Sequence, residues 1–75
     1  MTLFDAQCKN KYLVKKISCE INTERRLESL GLTENSAVEL ISRNRGGGAI
    51  VRIRGTRFAL GKEICQQIEL WGDNV

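Results

Sequence analysis

Apolar and polar residues alternate along Ile50–Leu60 (Ile-Val-Arg-Ile-Arg-Gly-Thr-Arg-Phe-Ala-Leu), and a period of two marks half-buried β-strands. Val51 and Ile53 share one face, with Arg52 and Arg54 on the other. Phe58 and Leu60 return on the apolar side. Between the two runs Gly55-Thr56 fits a type II′ turn, which places glycine first because that position has a positive φ. Ala37 to Arg43 alternates as well, Val38 and Leu40 against Glu39 and Ile41. In Lys11–Ile21 the residues Ile17, Cys19 and Ile21 carry the same period behind Tyr12 and Val14. They predict a first strand with Lys9, Lys11, Lys15 and Lys16 on its solvent side. Ile68 and Leu70 mark a last strand over 67–70.

One segment breaks the period of two. Asn22 and Thr23 are both candidate helix N-caps, since their side-chain oxygens accept the orphan backbone N–H groups. Glu24 meets the positive end of the helix dipole. Leu27 and Leu30, three apart, share one face. Gly31 is suited to the left-handed conformation that ends a helix, with Leu32 folding back toward Leu27. The result is about two turns of helix. Thr33–Ser36 then makes a turn, Asn35 taking the positive φ.

Asn44–Gly48 contains three consecutive glycines. A phosphate-binding loop needs its glycines ahead of a helix, with Lys-Ser or Lys-Thr behind them. Here a strand follows, so the loop reads as a plain hairpin connection. Lys62–Cys65 fits one helical or 3₁₀ turn after Gly61. Proline is absent, so the turns rest on glycine and asparagine. The fold class is mostly β: about five short antiparallel strands with one short α-helix, arranged as a small SH3-like barrel. Residues 1–75 form a single domain.

At this size the chain buries only about 60–65% of its unfolded surface, and a stability of roughly 4–11 kcal/mol follows. No run of about 18 apolar residues is present, and the N-terminus has no basic-then-apolar signal pattern. A cytoplasmic protein that does not itself span a membrane is expected. Cys8, Cys19 and Cys65 are odd in number and far apart, which argues for reduced thiols rather than a disulfide scaffold. Histidine is absent, and no Cys-x-x-Cys pair occurs. No metal ligands, cofactor-binding residues or catalytic residues are assigned, and an enzyme is not expected.

The net charge is only +3, but its placement is uneven. Arg43, Arg45, Arg52, Arg54 and Arg57 fall in a stretch without an acidic residue. Such clustering is the footprint of an anionic partner, or simply a solvated sheet face whose charges blunt its edges. A nucleic-acid- or ribosome-associated module is one alternative, because phosphate contacts supply sequence-independent affinity. Against it, the basic stretch is nearly free of the aromatics that stack on single strands.

From Arg25 to Leu70 the chain resembles the bacterial ferrous iron transport protein A (FeoA) family. The likeness rests on the arginine-led helix Arg26-Leu27-Glu28-Ser29-Leu30-Gly31-Leu32, the strand Ala37-Val38-Glu39-Leu40-Ile41 and the hairpin Ile53-Arg54-Gly55-Thr56-Arg57-Phe58-Ala59-Leu60. Where that family often has Pro-Gly after Leu-Gly-Leu, this chain has Glu34-Asn35. The resemblance implies a small SH3-like accessory protein without enzymatic activity. Its partner would be the FeoB membrane permease, whose iron transport it supports or modulates. Related SH3-like modules end metal-dependent bacterial repressors, which gives an interaction domain of that type as a further alternative. The candidate partner-binding surface comprises Arg25, Arg26, Leu27, Leu30, Arg52, Arg54 and Arg57, presented by a monomer with no small-molecule substrate.

Overall fold

The computed structural model describes residues 1–74 and the side chains of residues 1–71. Its elements in chain order are β1 (Asn10–Ile17), α1 (Ile21–Ser29), β2 (Ala37–Arg43), β3 (Ala49–Ile53), β4 (Thr56–Leu60), α2 (Lys62–Gln67) and β5 (Ile68–Asn74). All five strands join one antiparallel sheet in the order β4-β3-β2-β1-β5. The expected mostly-β architecture is present, with two helices where one was expected. The single turn anticipated at Lys62–Cys65 extends to Gln67 and runs straight into β5.

The core follows from the alternation. Tyr12, Val14 and Ile17 of β1, Val38 and Leu40 of β2, Ala49, Val51 and Ile53 of β3, and Ile68 and Leu70 of β5 are all buried. Leu27 and Leu32 cover them from the helix side, and Leu3 and Ala6 from the N-terminal segment. No polar or charged residue is fully buried among the described residues. The Tyr12 hydroxyl, at the rim, accepts the Gln7 N–H at 3.1 Å.

Three local expectations are corrected. The first strand stops at Ile17 instead of continuing to Ile21. Register shifts on the β5 side leave Lys15 and Lys16 both exposed, a bulge that turns Ile17 inward out of step with the alternation. Cys19 then packs on the core from beyond the strand, and Ile21, 56% exposed, opens α1. The helix therefore starts before Asn22 and Thr23. Glu20 occupies the N-cap position without a side-chain capping bond, its carbonyl accepting the Glu24 N–H at 2.9 Å. Anchoring Cys19 and Leu27 in the core fixes where the helix begins, and this overrides the capping preference of Asn22.

The third correction is the β3–β4 turn. Ile53 pairs with Thr56, so the two loop residues are Arg54 and Gly55, not Gly55 and Thr56. Both have positive φ, +52° and +82°, as a type I′ turn requires. That turn matches the right-handed twist of the strands, and the match outweighs the strain of a left-handed arginine. Phe58 is half-buried rather than fully buried, whereas Leu60 is in the core.

Candidate functional site

The end of α1 is built as its residues dictate. Gly31, at φ +96°, lets its N–H donate to the Glu28 carbonyl at 2.9 Å, and the Leu32 N–H donates to the Leu27 carbonyl, also at 2.9 Å. This is the doubly bonded Schellman ending, with Leu27 and Leu32 in apolar contact. It fixes the rotation of α1, so that Leu27 points into the core and Leu30 stays half-buried at the rim. Asn35 takes its positive φ of +67° in the turn that follows.

Leu30 borders an apolar groove of about 200 Å³ between α1, β4 and α2. Thr23, Arg26, Leu27 and Leu30 line one wall, Phe58, Ala59 and Leu60 the other, and Ile64 of α2 closes one side. Among the described residues Arg26 supplies the one charge in the lining, and no carboxylate is present there. The groove thus offers an apolar side chain a seat beside a cation.

The other predicted residues are arranged around this groove or behind it. Arg54 sits at the hairpin tip and folds over the end of α1. Its Cδ would lie 3.1 Å from a Cβ placed on Gly31, so hairpin and helix end meet there. Arg57 is exposed on β4 and pairs across the strands with Arg52. Arg52 is half-buried and held by Glu39, Nη1 to Oε1 at 3.3 Å. Glu39 also stands opposite Lys11, so the row Arg57, Arg52, Glu39, Lys11 crosses four strands. Between Lys11, Glu39, Arg52 and Arg54 lies a shallow depression of about 210 Å³. Arg25 is exposed and outside the groove. Arg26, Leu27 and Leu30 are brought together, then, while Arg52 belongs to a separate outer face.

Arg43 leaves the basic cluster altogether. Its Nη2 donates to the carbonyls of Leu3 and Ala6, and its guanidinium lies 5.9 Å from the Phe4 ring. Phe58, Ala59 and Ile64, by contrast, were not among the predicted surface residues yet form much of the groove. The half-matched alternation of β4 gave a signal for Phe58. Ile64 gave none, because α2 was read as a single turn.

The thiols do not converge. Cys8 is exposed, Cys19 half-buried and Cys65 buried. Burial pushes the Cys19 thiol up, and the Glu24 carboxylate adds to it. Burial also pushes Cys65 up, against a smaller downward pull from Arg43 and backbone donors. Among the described residues no three His, Cys, Asp or Glu side chains come together to hold an ion.

A family model for the FeoA domain matches residues 1–70. The crystal structure of an iron uptake regulatory protein (FeoA) is 26% identical over 93% of this chain and 93% of that one, with a TM-score of 0.83. FeoA from Chlorobium tepidum is 20% identical over 93% of this chain and 68% of that one, with a TM-score of 0.86. Zinc-complexed FeoA from Stenotrophomonas maltophilia, described as an SH3 domain protein, is 25% identical over 93% of this chain and 88% of that one, with a TM-score of 0.74. No curated protein sequence matches the chain.

Proposed function

Because the chain belongs to the FeoA domain family, and so to ferrous iron transport, we propose that it is a non-enzymatic accessory protein that binds the FeoB-type membrane permease and supports or modulates its activity. The observation that carries this reading is the groove beside α1: Leu27, Leu30, Phe58 and Ile64 with Arg26 at the rim. An apolar slot edged by a cation fits a protein partner, because the apolar contact supplies affinity and the charge supplies orientation. No helix is long and apolar enough to cross a membrane among the described residues; the reading places the protein on the cytoplasmic part of the permease. Of the candidate arginines Arg26 lines the groove, while Arg57 stands opposite Arg52 on the outer face and Arg54 lies over the end of α1.

The test is a titration of the purified protein against the intact permease in detergent, at low and high salt. Saturable binding that weakens only modestly with salt supports a mainly apolar interface, since screening acts on exposed charges. Leu30→Asp should abolish that binding while leaving the fold intact. Absence of saturable binding by the folded protein overturns the proposal.

A further inference from the structure

The free edge of β4 carries an inference that rests on the partner-binding reading and deepens it. In the sheet order β4 is an end strand, bonded only to β3. Antiparallel partners alternate between hydrogen-bonded and non-bonded pairs. Ile53 and Thr56 flank a two-residue loop and form a bonded pair, so Val51 with Phe58 and Ala49 with Leu60 are bonded too. The backbone N–H and C=O groups of Arg57 and Ala59 therefore point away from β3. Neither residue makes a hydrogen bond beyond the sheet among the described residues, and both are exposed.

This edge borders the apolar groove, which Ala59 lines alongside Phe58 and Leu30. Arg57 projects from the strand itself, and Arg26 stands across the groove. Backbone donors and acceptors, an apolar seat and flanking cations thus occur on one short strip. Exposed edges of this kind pair with extended chains, and main-chain bonds plus alternate side-chain pockets are how such addition gains affinity and specificity.

We propose that β4 receives an extended segment of the partner protein as a sixth strand. The segment seats an apolar side chain in the groove and presents a carboxylate to Arg26 or Arg57. The short edge limits pairing to about four residues, with N–H and C=O of Arg57 and Ala59 each matched once. A helical ligand would leave those four groups unpaired, and charge complementarity selects an acidic segment over a basic one.

The experiment is amide hydrogen exchange, read residue by residue, for the protein alone and saturated with the intact FeoB-type permease. In the free protein the Arg57 and Ala59 amides exchange fast and the Phe58 amide slowly. With the permease, protection of Arg57 and Ala59 should rise by about tenfold or more, reaching that of ladder amides. Binding that leaves Arg57 and Ala59 unprotected overturns strand addition and keeps the accessory-protein reading. Absence of binding overturns both. Protection that grows with the concentration of the protein alone assigns the edge to a second copy and overturns the proposal. As a second probe, Ala59→Pro removes one outward donor and no β3–β4 bond, and end strands accept proline there. Its melting curve should stay close to that of the unaltered protein while permease affinity falls about tenfold, one main-chain bond's worth. Unchanged affinity in the folded variant also overturns the proposal.

Discussion

The guanidinium of Arg43 reaches the carbonyl of Leu3, with Nη2 donating across 2.7 Å. The same nitrogen meets the Ala6 carbonyl, and the side chain lies over Phe4. This one arginine ties the N-terminal segment to the end of β2. The segment is also held by the Leu3 N–H on Ile68, the Phe4 N–H on Cys65 and the Leu70 N–H on the Met1 carbonyl, beside a bridge between Thr2 and Glu69. Arg43→Met keeps the apolar stem and deletes the charged donors, so two carbonyls lose their partner. Hydrogen bonds to charged groups contribute about 1.5–3 kcal/mol each, with strong overlap when they share a donor, and a loss of about 2–3 kcal/mol is expected. A denaturant melt measures it. Exchange of the Leu3 and Phe4 amides should quicken well before that of Val51, and unchanged exchange there would show that other contacts hold the segment.

What could be read from the chain divides along sequence distance. The end of α1 was legible because Leu27, Gly31 and Leu32 act on one another within a single turn. The inward faces of β2 and β3 were legible because the pleat imposes a period of two on any half-buried strand. Arg43 was misread as a surface cation because its acceptors lie 37 and 40 residues away. The turn was misplaced by one residue because glycine serves first in a II′ turn and second in a I′ turn. Only the register of β3 on β4 decides between them, and that puts Arg54 in the left-handed region. The groove joins α1, β4 and α2, three elements adjacent only in space, so its outline had no counterpart in any local pattern.

The three loop glycines are not equivalent. Gly48 is buried, and a Cβ there would stand 2.7 Å from the Leu60 carbonyl oxygen, a backbone atom that cannot swing aside. A Cβ on Gly46 meets nothing within 4 Å. Gly48→Ala should cost about 1–3 kcal/mol, the range for forcing extra volume into a packed site. Gly46→Ala should change stability by no more than about 0.5 kcal/mol, as open surface positions do. Paired urea melts check both. Equal midpoints for the two variants would mean that the close approach of Gly48 to β4 is relieved without cost.

Leu27 and Leu30 sit three residues apart and should separate stability from binding. Leu27 is 3% exposed within the core, and Leu27→Ala should destabilise by about 2–4 kcal/mol through the cavity it leaves. Leu30 is only half-buried at the groove rim. Truncating it removes less area from water, and about 1 kcal/mol is expected. In the permease titration the order reverses: Leu30→Ala weakens binding more than Leu27→Ala once both variants are compared fully folded. If Leu30→Ala binds as tightly as the unaltered protein, the groove is not the contact.

Charge reversal on the two basic faces tests which one matters. Arg26→Glu places a carboxylate in the groove lining and Arg57→Glu places one on the exposed end strand β4; each should weaken permease binding with little effect on folding. Arg52→Glu instead confronts Glu39, its ion-pair partner. Because that pair is partly exposed, its loss is worth about 1 kcal/mol at most, and like charges directly opposite add a comparable cost. Isothermal titration with the permease reads the first effect and a thermal melt the second. Binding that responds to Arg52→Glu but not to Arg26→Glu would move the contact from the groove to the outer face.

Alkaline pH should expose the buried thiol. Burial pushes the Cys65 pKa up, more than Arg43 and the backbone donors pull it down. The folded protein therefore keeps a proton that the unfolded chain releases at the ordinary thiol pKa. A state that binds more protons is favoured at low pH, so this contribution is fully present below the unfolded value. It diminishes as pH rises toward the folded one, with a limiting slope of about 1.4 kcal/mol per pH unit for a single group. Cys19 shifts in the same direction, from burial first and Glu24 second. The urea midpoint should fall between pH 8 and 10, and Cys65→Ala, though less stable at neutral pH, should fall less steeply. Thiol labelling at pH 8 gives the matching readout: exposed Cys8 reacts first, and Cys65 reacts only as the protein unfolds. Equal slopes for Cys65→Ala and the unaltered chain would assign the alkaline loss to other groups and show that the Cys65 thiolate is accommodated in the fold.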